Sequence, residues 1–271
     1  MAESESYFRT TETGDIALPN GTLRLVTVKS PSLKGRGDIS LYLPKQVENP
    51  KAAPVITLLH GVYGSHWSWA LSGKAHLSLQ AMIDADEIPP MILAMPSDGL
   101  WGDGSGYTAH SGKDFERWIV DEVPQAVSET TGNALESTHF LGGLSMGGFG
   151  TLRLGARHSK RYRALSAHSS VTRLDELTRS GYVEESLADY ECDPSNVPTV
   201  LDAILQNRST LPPFRFDCGV DDILIEANRT LARQLKSEGI EFAYEEYPGD
   251  HGWPYWETHV RKTYAFFAGR L

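Results

Sequence analysis

An α/β fold, with a mostly parallel central sheet flanked by helices, is what this sequence predicts, and three observations carry it. Apolar runs of strand length alternate with amphipathic stretches of helix length along most of the chain. Val55-Ile56-Thr57-Leu58-Leu59 and Met91-Ile92-Leu93-Ala94-Met95 are apolar almost without interruption, as strands buried on both faces require. Finally, Gly143-Leu144-Ser145-Met146-Gly147 stands between an apolar run, Phe140-Leu141, and a helix-like segment, Thr151 to Ala156. That context puts Ser145 on a sharp strand-to-helix turn, where flanking glycines let two elements approach closely. G-x-S-x-G in this setting matches the pattern of a nucleophile elbow, the tight turn that lifts a reactive serine above a sheet.

The elements follow in order. Residues 1–20 read as a polar lead-in. Thr22 to Val28 and Asp38 to Leu43 alternate apolar and polar, giving two half-exposed strands that pair as an antiparallel edge. The buried strand Val55 to Leu59 leads into His60-Gly61-Val62-Tyr63-Gly64. Residues 75–85 carry a helical pattern, and Pro96 closes the next strand. Ser97 to Gly106 is glycine-rich; its aspartates lack the spacing and closing Glu of an EF-hand, so it reads as a wall beside the site, not a metal loop. Phe115 to about Thr130 is an amphipathic helix, Thr138 to Leu144 the strand feeding the elbow, and Tyr162 to Ser169 the strand after it. From residue 171 to 213 the periodicity weakens, apart from a short helix at Leu201 to Leu205, which suits a cap or lid insertion. Phe214 to Gly219 resumes the sheet, Leu224 to Ser237 is a helix ended by Gly239, Phe242 to Tyr247 is the last strand, and a helix spans Pro254 to Phe267. All of residues 1–271 form one domain on this reading.

Composition narrows the partners. A formal net charge of −10 argues against nucleic acid and anionic membrane surfaces. The nine histidines show no metal-ligand spacing, so no metal or other cofactor is expected. Cys192 and Cys218 read as reduced thiols, and the acidic Met1 to Ser6 lacks a signal-peptide core, so a cytoplasmic location is expected. The partner expected is a small-molecule ester, with a homodimer as the one assembly entertained.

A serine hydroxyl needs a base, and the base an orienting acid. In the α/β-hydrolase order of Ser, acid, His, the histidines left are His251, in a glycine-flanked loop directly after a strand, and His259, inside a helix. Loop placement favours His251. For the acid, Asp217 lies within its strand and suits a salt bridge, whereas Asp221 and Asp222 both sit on the turn opening a helix, which one of them caps. Spacing alone does not separate those two. His60 and His168 end strands and line the pocket or bond backbone; His66, His76, His110, His139 and His158 read as surface or helix residues. Backbone amides of Val62 and Met146 are the expected oxyanion donors. Tyr63, Trp67, Trp69 and Trp101 are the candidates for the substrate wall, with core packing as the alternative for the aromatics near the elbow.

With these blocks in place the chain resembles the esterase D family of α/β-hydrolases along most of its length. The resemblance runs through Val28 to Arg36, Leu41-Tyr42-Leu43-Pro44, Leu59 to Gly64 with Trp69, Gly143 to Gly150, Cys218-Gly219-Val220-Asp221-Asp222, and Gly249-Asp250-His251 with Trp256. It implies Asp222 as the acid, leaving Asp221 to face solvent or cap the helix. It also implies a cofactor-free serine carboxylesterase with an acyl-enzyme, acting on small or aromatic acyl esters. S-formylglutathione-type thioesterases and acyltransferases in the family use the same residues. Thioesterases of that type usually carry His where Phe149 stands and a cysteine in the loop where Val62-Tyr63-Gly64 stands. A hydrolase fold kept only for binding would be free to lose Ser145 or His251; both are present.

Overall fold

The computed structural model describes residues 6–179, 181–190 and 199–271. Three antiparallel strands open the sheet: β1 (Thr11–Leu18), β2 (Gly21–Ser30) and β3 (Gly35–Pro44). Next come β4 (Val55–Leu59), α1 (Ser68–Leu71), α2 (Ala75–Asp84) and β5 (Ile92–Pro96). A two-stranded hairpin, β6 (Ala109–His110) and β7 (Lys113–Asp114), precedes α3 (Phe115–Arg117) and α4 (Val123–Thr131). The second half contains β8 (His139–Leu144), α5 (Met146–Arg157), β9 (Leu165–His168), α6 (Leu174–Arg179) and α7 (Val200–Gln206). It ends with β10 (Phe214–Gly219), α8 (Ile225–Ser237), β11 (Ala243–Tyr247) and α9 (Trp253–Ala268). The main sheet has nine strands in the order β1-β2-β3-β5-β4-β8-β9-β10-β11, parallel from β5 through β11.

Both faces of this sheet are covered, which explains the continuous apolar runs. In β4, Val55 and Leu59 join one core while Ile56 and Leu58 join the other. In β5 the same split separates Ile92 and Ala94 from Leu93 and Met95. One core is closed by side chains of α3–α5, α7 and α8, the other by those of α1, α2 and α9.

Two expectations need correction. The polar lead-in is not unstructured: residues 11–18 form β1, an edge strand paired to β2 along its whole length. Its side chains are almost all exposed, so backbone hydrogen bonds hold it and no hydrophobic period marks it. Consequently the β2–β3 pair is not the edge. His139 is likewise no surface residue, but the buried first position of β8. The helix expected over residues 115–130 is present with a π turn at Trp118–Glu122. Pro124 explains it: without an N–H it cannot bond the carbonyl four residues back, and the helix widens there. Of the two cysteines, Cys218 is a buried free thiol, while Cys192 lies outside the described residues.

One ion-pair cluster ties α3 to α5. Glu116 meets Arg153 at 3.0 Å, Arg157 at 3.2 Å and His158 at 2.7 Å, and Arg153 is wholly buried. Burial works to raise the Glu116 carboxyl pKa, but the His158 hydrogen bond and both arginine charges outweigh it and hold the group at about 2, against an ordinary 4.5. A depressed folded-state pKa stabilises above the unfolded value and is lost as pH falls through the folded one. Replacing Glu116 by Gln should therefore cost about 3 kcal/mol at neutral pH, and the gap from wild type should close between pH 4.5 and about 2. Urea unfolding of both proteins across that range measures it; a gap independent of pH would refute the ionic origin.

Candidate active site

Four loops at the carboxyl ends of parallel strands converge on one spot. The turn from β8 into α5 presents Ser145 with φ 54° and ψ −119°, a conformation that costs a non-glycine residue energy and lifts the side chain out of the sheet. Such an elbow is possible only with glycines beside it. A Cβ on Gly143 would drive into the Gly147 carbonyl, and one on Gly147 into the Leu59 carbonyl at the end of β4. Backbone bonds brace the turn: Ser145 N–H donates to the His168 carbonyl at 3.0 Å, and the Ser145 carbonyl accepts from Val171 at 3.1 Å.

The loop after β10 carries Asp221 and Asp222, and the loop after β11 carries His251. They are laced together by backbone, Val220 N–H to the Tyr247 carbonyl at 2.9 Å and Asp221 N–H to the Gly249 carbonyl at 3.0 Å. Asp222 is buried and Asp221 exposed. Both carboxylate oxygens of Asp222 lie 3.0 Å from His251 Nδ1, and His251 Nε2 lies 3.0 Å from Ser145 Oγ. Burial alone would raise the Asp222 pKa, but the hydrogen bond and charge of His251 and the Leu224 amide bring it below the ordinary carboxylate value. Asp222 is thus an anion at neutral pH, acceptor to His251 Nδ1–H, and this tautomer leaves Nε2 free to accept the serine proton. Asp222 Oδ1 also accepts the Leu224 N–H at 2.8 Å, so the side-chain bond at the start of α8 comes from Asp222, while Asp221 faces solvent.

Ser145 opens into an apolar cavity of about 360 Å³. Val62, Tyr63, Trp67, His60 and His251 line it, as do Trp253, Trp256, Leu177, Tyr182 and Ile223. Val62 stands in the loop after β4, and Met146 N–H is the first amide of α5, one of those a helix leaves unbonded at its start. The aromatic candidates divide. Tyr63 and Trp67 line the cavity. Trp69 does not: it is buried, donates its indole N–H to the Leu59 carbonyl at 2.9 Å and packs edge-on against Trp253. Trp101 also lies outside the lining, packed against Tyr190 and His110. Trp253 and Trp256 take the place expected of them. Trp256 meets the His251 ring edge-on at 5.0 Å and donates its indole N–H to Ser169 Oγ at 3.1 Å. Their sequence signal was an aromatic pair just beyond Gly249-Asp250-His251, at the start of a helix.

The remaining histidines have other partners. His60 Nε2 accepts the Asp98 N–H at 3.0 Å, so its Nδ1 carries the proton toward the Gly61 carbonyl, 2.6 Å away. His168 is buried between Asp217, at 2.9 Å, and Thr263, at 2.7 Å. Asp217 also pairs with Arg215 at 2.8 Å, which keeps it in the sheet and away from His251. His259 lies between the Tyr247 and Tyr255 rings, at 4.4 and 4.3 Å. The glycine-rich segment 97–106 does stand beside the site: the Asp103 carbonyl accepts the Tyr63 N–H at 2.8 Å. No helix among the described residues is long and apolar enough to cross a membrane.

Residues 30–267 match the Esterase family. An acetyl esterase of Caldicellulosiruptor saccharolyticus is 26% identical over 267 residues, an alignment that covers 91% of each chain. Among solved structures, a ferulic acid esterase aligns with a TM-score of 0.78 at 22% identity, covering 97% of this chain and 98% of that one. An S-formylglutathione hydrolase from Agrobacterium tumefaciens aligns with a TM-score of 0.80 at 15% identity, covering 95% and 98%. At such identities the two structures speak for the fold alone. The family match spans nearly the whole chain and takes in all four loops of the site, so the protein belongs to the esterase D family of α/β-hydrolases and is a carboxylic ester hydrolase.

Proposed function

We propose that the protein is a serine carboxylesterase that acts through an acyl-enzyme on esters with a small or aromatic acyl group. The observation that carries this is the continuous hydrogen-bond chain from Asp222 through His251 to Ser145, ending at an apolar cavity. In the first half-reaction His251 Nε2 takes the Ser145 proton as Oγ attacks the ester carbonyl. Negative charge builds on the carbonyl oxygen, and the Val62 and Met146 amides receive it, with the N-terminal end of the α5 dipole adding to the field. His251, now protonated and held by Asp222, gives the proton to the departing alcohol. Water repeats the sequence on the acyl-enzyme and regenerates Ser145. No step calls for a cofactor. Trp67, Trp253, Leu177 and Ile223 offer apolar surface for the acyl chain or ring, and the cavity's volume suits a compact ligand. A cytoplasmic setting belongs to the same proposal, supported by the buried free thiol of Cys218.

Two measurements test it. A panel of acetyl, butyryl, long-chain acyl and feruloyl esters, with S-formylglutathione as the thioester arm, should show its highest kcat/KM on an acetyl or feruloyl ester. A preference for the long acyl chain or for the thioester would overturn the substrate class. The second addresses the acid. Asp222→Asn should lower kcat by about 10⁴, because the amide stabilises the wrong imidazole tautomer. Stability should stay near normal, since Asn Oδ1 still accepts the Leu224 N–H. Asp221→Asn, at an exposed position, should change kcat by less than about threefold. The reverse ranking would move the acid to Asp221.

A further inference from the structure

One backbone segment touches both residues whose amides are proposed to hold the oxyanion, and the cap holds that segment. Asp103 accepts the Tyr63 N–H through its carbonyl, fixing the residue after Val62, whose own φ is +62° and needs an external tie. Beside it, Gly104 lies against the Met146 sulfur and the Val62 side chain, and Gly106 N–H points at Met146 Sδ, 3.4 Å away. On its other side the segment is bonded to the cap residues 181–190. Asp103 N–H donates to Glu185 Oε1 at 3.1 Å, Glu184 N–H donates to Asp103 Oδ2 at 2.9 Å, and Tyr190 O–H donates to the Gly104 carbonyl at 3.0 Å. The first two bonds are reciprocal: each strand of chain offers a carboxylate to the other's amide, and such charge-assisted bonds are about twice as strong as neutral ones. Gly102, at φ +52°, leaves the room that the Glu185 carboxylate occupies; a Cβ there would collide with Oε1.

We propose that Glu185 is a positioning residue for the esterase reaction: by holding Asp103 it sets the Val62–Tyr63 loop, so the cap determines the geometry of the oxyanion donors at Ser145. This rests on the reading of Val62 and Met146 as those donors. Glu185 is not in the cavity lining, so its loss should act on the transition state and not on ground-state binding.

The test is steady-state kinetics on a short-chain ester with Glu185→Ala, Glu185→Gln and Gly102→Ala, each checked for a normal melting transition. A displacement of about 1 Å at reacting atoms costs up to about 100-fold, so Glu185→Ala should lower kcat by about 10- to 100-fold with KM within about threefold. Affinity for a trifluoromethyl ketone transition-state analogue should fall in parallel. Glu185→Gln keeps an oxygen that accepts the Asp103 N–H and should stay within about threefold of wild type. Gly102→Ala expels the carboxylate without altering it and should reproduce the Glu185→Ala loss; it decides the matter if Glu185→Ala fails to fold. Unchanged kcat in Glu185→Ala, a loss confined to KM, or a Gln variant as damaged as the Ala variant would each overturn the positioning role. An inactive Ser145→Ala beside a fully active Glu185→Ala removes only this inference, whereas an active Ser145→Ala removes the catalytic reading beneath it.

Discussion

Ser145→Ala should lower kcat on a short-chain ester by about 10⁶, the scale on which a triad nucleophile is lost, with oxyanion amides leaving a residue of about 10³–10⁴ over water. The hydroxyl makes its hydrogen bond to His251, and its removal leaves the elbow's backbone bonds to His168 and from Val171 intact. Alanine bears the same strained φ of 54° no worse than serine, so the melting temperature should hardly move. A fluorophosphonate probe should label the wild-type enzyme at Ser145 and leave the variant unlabelled. The cavity holds two other serines, Ser68 and Ser72. Ser68 Oγ instead accepts the Ser65 N–H at 2.9 Å, a bond within its own loop. Label found at Ser68 or Ser72, or activity surviving in Ser145→Ala, would place the nucleophile elsewhere.

His251→Ala should cost nearly as much, about 10⁶ in kcat, since nucleophile and base act as one unit and losing either abolishes the same step. His259→Ala is the control. Burial lowers the His259 pKa, and its ring stacks on Tyr247, meets Tyr255 at a tilt and is not among the residues lining the cavity at Ser145. Losing those ring contacts should cost about 1 kcal/mol of stability and leave kcat within about threefold. Parallel kcat and thermal-melt measurements separate the two. A large kcat loss in His259→Ala with a mild one in His251→Ala would shift the base from the loop to α9.

How far local sequence reached depended on whether a feature has a side-chain signature. Strands β4, β5 and β8 were legible because burial on both faces forces continuous apolar residues. The elbow was legible because a close strand–helix approach demands glycine on each side of Ser145. The edge strand β1 was not, since its exposed residues are held by backbone bonds that any sequence can make. Aromatic identity near the elbow was visible, but orientation was not: Trp69 turned inward because its indole found the Leu59 carbonyl, and Trp253 and Trp256 arrived from the far end of the chain to face the cavity.

The order of Ser145, acid and His251 and the kinds of loop that carry them are properties of the sequence alone. Spacing does not say which of two adjacent aspartates meets the imidazole, because neighbouring side chains on a turn diverge and share every local statistic; the family resemblance alone pointed to Asp222. The loops decided it: with Val220 and Asp221 amides bonded to the β11 loop, only the Asp222 carboxylate points at a histidine 29 residues on, and that histidine at a serine 106 residues back. Hydrogen bonds of 3.0 Å tolerate errors of a few tenths of an ångström, a precision that sequence spacing does not carry and that a packed parallel sheet supplies.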